Sequence, residues 1–311
     1  MATEPILAAF DAPVVQCRRF ADSAVWSDYW ALTKPEVNFL IVITTFAGFY
    51  LAHGHGQDFP ILRSINAVLG TLLVASGTGT LNQYIERRFD AQMRRTARRP
   101  LAAGRLEPSA VLWFGIALSV AGSVYLAVAV NLLSSVLAIA TLLSYLFFYT
   151  PLKRKTPLCT LVGAFPGAMP PLIGWAAASG KLTFEAWTLY ALLFLWQFPH
   201  FMAIAWMYRE DYDRAGYLVL PHDARARTRL VNWQTLLPLL ALVLLSLLPA
   251  LTGAGTSSAF YWIGDLLLSL GFLYYGLQFV RNKSGSAARR LLAASIIYLP
   301  LVFVLIVLPG G

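Results

Sequence analysis

Nine stretches of mainly apolar residues, at approximately 36–53, 65–83, 109–129, 131–149, 159–178, 186–208, 232–252, 259–280 and 291–308, follow one another along the chain. Each is close to the ~20 residues that a helix needs to cross the hydrocarbon core of a bilayer. In lipid every backbone N–H and C=O must be satisfied internally, and segments of this length do so as helices, which makes the fold a bundle and not a barrel. The third and fourth stretches are parted only by Val130 and Asn131. We therefore expect an all-α, polytopic membrane protein of about nine transmembrane helices. It forms one domain over residues 1–311, with residues 1–30 as a short cytoplasmic tail. Composition agrees: 58% of residues are hydrophobic and 13% charged, with a mean hydropathy of +0.63. An ordinary soluble domain carries about 25% charged residues, so a soluble enzyme, a disordered chain and a basic nucleic-acid-binding domain are excluded.

The net charge of +9 is explained by where the cations fall. Arg18, Arg19 and Lys34 precede the first stretch, and Arg87, Arg88, Arg94, Arg95, Arg98, Arg99 and Arg105 follow the second. Lys153, Arg154 and Lys155 follow the fourth; Arg209, Arg214, Arg225, Arg227 and Arg229 the sixth; Arg281, Lys283, Arg289 and Arg290 the eighth. Of the 24 Lys and Arg residues only Arg63 and Lys181 lie on the other side. By the positive-inside rule the N-terminus and all four basic loops are cytoplasmic, and Gly311 is on the far side. The cations of 281–290 read as topology signals that also attract anionic lipid, at about 1 kcal/mol each. Cys17 and Cys159 form no CxxC or metal-spaced set. Glu4, Asp11, Asp22 and Asp28 make the first 30 residues unlike a secretory signal or a transit peptide.

Two clusters at the basic face mix acids with bases. Asn82, Glu86 and Asp90 are spaced i, i+4, i+8, which sets them on one helical face over about 12 Å of axis. Such oxygen ligands suit Mg²⁺, which takes one or two carboxylates together with substrate phosphate oxygens. Neighbouring arginines can hold further phosphate oxygens. The alternative is that Glu86 and Asp90 simply pair with arginines on a solvated face. The second cluster follows the sixth stretch, where His200, Ile204 and Asp211 fall near one face and Tyr208 and Arg209 lie between. A histidine inside a span is a functional candidate by default; the competing account is a histidine satisfied by a neighbouring helix. Tyr149-Thr-Pro-Leu-Lys153-Arg154-Lys155 is a third polar site on the same face. His53 and His55 read as loop residues, Asp265 as a residue that snorkels to the far interface, and Gly163-xxx-Gly167 as a helix-packing pair.

Carboxylates, a divalent cation and basic residues at the mouth of an apolar bundle suit a substrate that is part diphosphate and part hydrocarbon. The most specific stretch is Asn82-xxx-Glu86-xxx-Asp90-xx-Met93-x-Arg95-Thr96-xx-Arg99-Pro100-Leu101, followed by Gly104-Arg105. With it go Leu32-Thr33-Lys34-Pro35, Tyr149-Thr150-Pro151-Leu152-Lys153-Arg154, Gly167-Ala-Met-Pro170-Pro171, His200-Phe201, Asp211-Tyr212-xx-Ala215-Gly216 and Leu220-Pro221. On these residues the chain, from about Tyr29 onward, resembles the UbiA-type intramembrane prenyltransferases, in the branch that acts on haem. The resemblance implies transfer of farnesyl from farnesyl diphosphate to a vinyl group of haem B, giving haem O, with Mg²⁺ as cofactor, in a bacterial inner membrane. It places Asn82, Glu86, Asp90 and Asp211 in catalysis, with Glu86 and Asp90 as metal ligands. It gives Lys34, Arg95, Arg99, Lys153, Arg154 and Tyr208 to diphosphate and substrate. His200 is the expected haem-binding residue, on its depth in the span and its imidazole. Trp196, Phe198 and Tyr208 are candidates to stabilise an allylic cation.

The family's paired aspartates read here as Glu86-xxx-Asp90 and Tyr208-xx-Asp211, and Cys159 stands where the haem branch has Asn. Expected partners are farnesyl diphosphate, haem B, the lipid bilayer and the next haem-modifying enzyme or oxidase assembly factors, and no nucleic acid. An aromatic quinone precursor is the alternative acceptor, and a transporter the alternative class. A transporter places its charges near the bilayer midplane; here they gather at one edge.

Overall fold

The computed structural model describes residues 23–53, 58–252 and 259–307, with side chains left aside at Ser23, 247–252, 259–262 and Val307. Cys17, Arg18, Arg19, His55 and Gly311 lie outside the described residues. All regular structure among these residues is helical: α1 (Ser23–Leu32), α2 (Pro35–His53), α3 (Ile61–Asp90), α4 (Pro108–Ala129), α5 (Leu132–Leu143), α6 (Thr150–Leu152), α7 (Cys159–Gly167), α8 (Met169–Ser179), α9 (Phe184–Met207), α10 (Arg209–Arg214), α11 (Ala224–Thr252), α12 (Ala259–Asn282) and α13 (Gly285–Val307). A turn of π-helix at Ser144–Tyr149 joins α5 to α6. Among the described residues nine spans are long and apolar enough to cross a membrane. Large apolar side chains such as Trp113, Val128, Leu132, Phe147 and Leu267 cover their outer faces, as contact with lipid requires.

The doubtful boundary at Val130 and Asn131 is a true helix break. Asn131 is the N-cap of α5, and its side-chain oxygen accepts from the Ser134 N–H at 2.8 Å. Residues 23–30 of the expected tail belong to α1, which buries Val25 and Asp28.

Small residues let the helices approach closely. A methyl added at Gly122 of α4 would stand 2.8 Å from the Leu73 Cβ and the Val74 nitrogen of α3, a small-residue interface of the membrane type. The many hydroxyls of α3 stay satisfied within the helix: Thr71, Thr78 and Thr80 donate to the carbonyls of Ala67, Val74 and Ser76 at 2.8–2.9 Å. Gly163 and Gly167 do serve packing, against the Tyr149 ring and the Gln197 amide. Asp265 is a correction. It is 4% exposed, with Oδ1 buried and unpartnered, so it does not snorkel.

Candidate active site

The last turns of α3 carry the first cluster inward. Asn82, Glu86 and Asp90 are 1%, 5% and 1% exposed, on one face as the spacing predicts. The helix runs unbroken to Asp90, where Thr96 Oγ1 donates to the Asp90 carbonyl at 2.8 Å and satisfies one of the open C-terminal acceptors. Beyond it the chain folds back through Gly104, whose φ of +70° favours glycine. The turn delivers Arg105 to Asp28 of α1, with Nε 3.1 Å from both carboxylate oxygens and Nη2 3.0 Å from Oδ1. That fork clamps the 91–107 segment onto α1.

Three cations converge on this face from three places in the sequence. Lys153, just past α6, puts Nζ 2.8 and 3.1 Å from the two Glu86 oxygens. Arg99 Nη1 is 2.7 Å from Asp90 Oδ2, and Lys34 Nζ donates to Asn82 Oδ1 at 3.0 Å. The carboxylates do pair with cations, yet as buried pairs and not on a solvated face. Lys34 holds a left-handed backbone, φ 55°, just before Pro35, a conformation costing a non-glycine residue on the order of 1–2 kcal/mol. Burial, then the nearby Arg99 and Lys153 charges, bring its pKa down to about 7. Burial also disfavours the Lys153 ammonium, but the Glu86 carboxylate beside it outweighs this and holds its pKa well above the usual lysine range.

A hydrogen-bond chain sets the polarity of the centre. Thr150 Oγ1 donates to the Tyr145 carbonyl of the π-turn at 2.9 Å, so it can only accept from Asn82 Nδ2, at 3.2 Å. The same amide nitrogen donates to Glu86 Oε2 at 2.9 Å. Asn82 Oδ1 is thereby turned toward Lys34, a pure donor.

The second cluster is reached through a break. α9 ends at Met207, Tyr208 departs from helical geometry at φ −109° and ψ 20°, and α10 starts at Arg209. His200 and Asp211 therefore do not share a continuous helical face, which corrects the expectation that they fall near one face. Asp211 accepts from the Arg95 backbone N–H at 3.3 Å and pairs with Arg214 at 2.9 Å. The Arg95 guanidinium covers the Tyr208 ring at 5.2 Å, and Arg154 covers Phe89 at 4.2 Å. Asp211 thus ties the 91–107 segment to α10.

His200 lies away from this cluster, half-buried between α9 and α13. Its Nδ1 is 2.8 Å from Ser295 Oγ, and its ring stacks on Trp196 at 4.9 Å. Ser295 gives its hydroxyl proton to the Leu292 carbonyl at 2.6 Å. The imidazole then carries its proton on Nδ1 and leaves the Nε2 lone pair open. A neighbouring helix satisfies one nitrogen, and no hydrogen bond among the described residues engages the other. Trp196 donates to the Ser295 carbonyl at 2.8 Å and Phe198 packs on Phe194; both rings are committed to the bundle.

Sequence reasoning missed the contacts made by Thr150, Thr96 and Arg214 and the Asp28–Arg105 clamp. The partners lie 67, 77 and 116 positions apart for Lys153–Glu86, Arg105–Asp28 and Arg95–Asp211, beyond any local periodicity.

The site can hold a polyanion. Lys34, Lys153 and Arg99 present three cations over two carboxylates at the edge of an apolar bundle. Among the described residues no three acidic, histidine or cysteine side chains stand together as a complete metal cage. Asp90 Oδ1, however, is buried with no hydrogen-bond partner. An orphaned carboxylate oxygen beside Glu86 fits a Mg²⁺ whose remaining ligands come from a diphosphate and water.

Residues 41–302 match the model of the UbiA prenyltransferase family. A protoheme IX farnesyltransferase of Solibacter usitatus is 48% identical over 295 residues, covering 91% of this chain and 99% of that one. One from Salinibacter ruber is 42% identical over 277 residues, covering 88% and 95%. Among solved structures, a digeranylgeranylglyceryl phosphate synthase superposes with a TM-score of 0.74 at 16% identity, over 92% of this chain and 98% of that one. A UbiA homolog from Archaeoglobus fulgidus bound to GPP and Mg²⁺ does so at 0.60 and 15%, over 90% and 99%. These likenesses show the fold.

Proposed function

The chain belongs to the UbiA prenyltransferase family, and from that premise we propose that it transfers the farnesyl group of farnesyl diphosphate to a vinyl group of haem B, giving haem O. The observation that carries the reading is the buried array of Lys34, Lys153 and Arg99 over Glu86 and Asp90, in a chain 48% identical to a protoheme IX farnesyltransferase. The allylic C–O bond breaks and its electron pair leaves with diphosphate. The vinyl carbon attacks the farnesyl cation, water adds to the resulting benzylic-type cation on the macrocycle, and one proton is released. Asp90 and Glu86 would hold a Mg²⁺, which when bound would neutralise charge on the leaving diphosphate.

Lys153 and Arg99 exchange carboxylate oxygens for phosphate oxygens as the substrate enters, and Lys34 regains full charge beside the new anion. Arg95, Arg154 and Tyr208 line the mouth, and Asp211 holds it by bracing Arg95. Asn82 orients Glu86. A single membrane-embedded domain suffices for this, with farnesyl diphosphate and haem B as substrates.

The deciding experiment incubates purified protein with haem B and farnesyl diphosphate, then chromatographs the extracted haem. Haem O is expected with Mg²⁺ and not after chelation. A prenylated aromatic acid in place of haem O would move the chain to the quinone-directed branch.

Orientation follows from the charge partition. In a cysteine-free background, Arg98→Cys is expected to react with an impermeant thiol reagent only from the cytoplasmic face, and Lys181→Cys only from the opposite face. Equal labelling from one side would overturn the nine-span topology.

His200 is assigned to the haem, with the open Nε2 lone pair as the group that would meet the macrocycle's iron or edge. His200→Ala is expected to weaken haem B binding in a spectral titration while the farnesyl diphosphate KM stays unchanged. Unaltered haem affinity and spectrum would leave His200 as a packing residue.

A further inference from the structure

Tyr217 is a buried hydroxyl without a task in the fold. It follows Gly216, which closes α10 at φ +69°, and the next residue is pinned to the site: the Leu218 N–H donates to the Lys153 carbonyl at 2.7 Å. The Tyr217 ring is held edge-on by Phe89 at 5.8 Å and Tyr212 at 6.1 Å, in a small cluster with Met93 and Ala215. Phe89 immediately precedes Asp90, so the ring is anchored on the same helix end as the carboxylates. The residue is 2% exposed, and its hydroxyl has no hydrogen-bond partner.

An orphaned buried hydroxyl is costly, because the water it gave up has not been replaced. The charged groups that act on it are Glu86 most strongly, then Lys153 and Asp90. Burial first, and then Glu86, raise its pKa, so it remains a neutral donor throughout the working range. Glu86 stands close enough to act on the hydroxyl but makes no hydrogen bond with it, and its oxygens already accept from Lys153 and Asn82. What the hydroxyl lacks is an acceptor that enters between these cations from outside.

We infer that Tyr217 is a further substrate-contacting residue, whose hydroxyl donates a hydrogen bond to an oxygen of the bound diphosphate. The inference rests on the proposed function, since it takes diphosphate as the ligand of the Lys34–Lys153–Arg99 array. It gives the loop after α10 a direct part in substrate binding, at a position the family pattern passes over between Asp211-Tyr212-xx-Ala215-Gly216 and Leu220-Pro221. A donor fixed by packing rather than by hydrogen bonds suits this part. It loses nothing when the ligand arrives, and it holds the ligand with little further loss of side-chain freedom.

Tyr217→Phe keeps the ring and removes only the oxygen. With inorganic diphosphate and Mg²⁺ as the probe, calorimetric titration of the purified protein is expected to show affinity weaker by about 10- to 100-fold, the scale of one hydrogen bond to a charged acceptor. The KM for farnesyl diphosphate should rise in step while that for haem B does not move. The melting temperature of the free protein should be unchanged or higher, because an unsatisfied polar atom has been taken out of the interior. That pairing of weaker binding with undiminished stability is a signature that a purely structural tyrosine would not produce. Diphosphate affinity within about twofold of the parent overturns the assignment, and so does a loss of affinity that comes with a lowered melting temperature. If the parent protein binds diphosphate and makes haem O while Tyr217→Phe is silent, only this inference fails. If the parent protein binds no diphosphate, the proposed function fails with it.

Discussion

Asp90→Ala is expected to lower turnover by about two to three orders of magnitude, the scale on which one preorganised electrostatic contact acts in a buried site. Asp90 Oδ2 holds Arg99 at 2.7 Å, and Oδ1 is buried with no partner. On the proposed function, one oxygen therefore organises a cation assigned to the diphosphate while the other stands open for a metal. Removing the side chain abolishes both, and Glu86 cannot stand in for it, since it has its own place in the proposed metal site and its own pairing with Lys153. The protein should still insert and stay monodisperse in detergent, because the α3 contacts that hold the bundle are made by small residues nearer the middle of the helix. Asp90→Asn separates the two roles: it keeps a hydrogen bond to Arg99 and loses most of the metal affinity. The measurement is haem O formation against Mg²⁺ concentration. Near-parental activity of Asp90→Ala with Mg²⁺ limiting would remove Asp90 from the metal site, and the same experiment applies to Glu86→Ala.

The bundle itself could be read from the chain because its cause is local. A run of apolar residues of bilayer length has to be a helix, and the i, i+4, i+8 spacing has to bring Asn82, Glu86 and Asp90 onto one face whatever the rest of the chain does. What surrounds that face has no local cause. Nothing between Met207 and Arg209 is a helix breaker, yet the helix stops at Tyr208, where the Arg95 guanidinium covers the ring and the Arg95 N–H binds Asp211. A partner more than a hundred residues away decides that break, and with it the separation of His200 from Asp211. The π-turn at Ser144–Tyr149 is similarly silent in the sequence, although Thr150 uses it to fix the Asn82 amide. Asp265 went astray for another reason. Its height along α12 can be read from its position in the span, but not which way it faces, and it faces the protein. Tyr217 carried no signal, because a tyrosine at the end of a polar loop is ordinary until its hydroxyl is seen to lack a partner.

Lys153→Met should be the most destabilising single change at this site. The ammonium lies 2.8 and 3.1 Å from the two Glu86 oxygens, and both side chains are largely removed from water. Taking away one member of such a pair leaves the other charge buried and uncompensated, at a cost of about 3–5 kcal/mol. Lys34 does not make up the loss, since its ammonium is turned to Asn82 Oδ1 and its charge is itself weakened by burial. The double variant Glu86→Gln/Lys153→Met removes both charges while keeping the shapes, and it is expected to recover most of that stability. Activity should not follow stability. On the proposed function the double variant still lacks one cation for the diphosphate and one carboxylate for the metal, so haem O formation is expected to stay as low as in either single variant. Thermal unfolding in detergent, measured for the parent, both single variants and the double, yields the coupling free energy directly. A Lys153→Met protein as stable as the parent would mean that water reaches Glu86 freely and that the pair is not a buried one. Recovery of turnover together with stability in the double variant would confine both residues to holding the fold, and the diphosphate would have to be gripped by Arg99 and Lys34 alone.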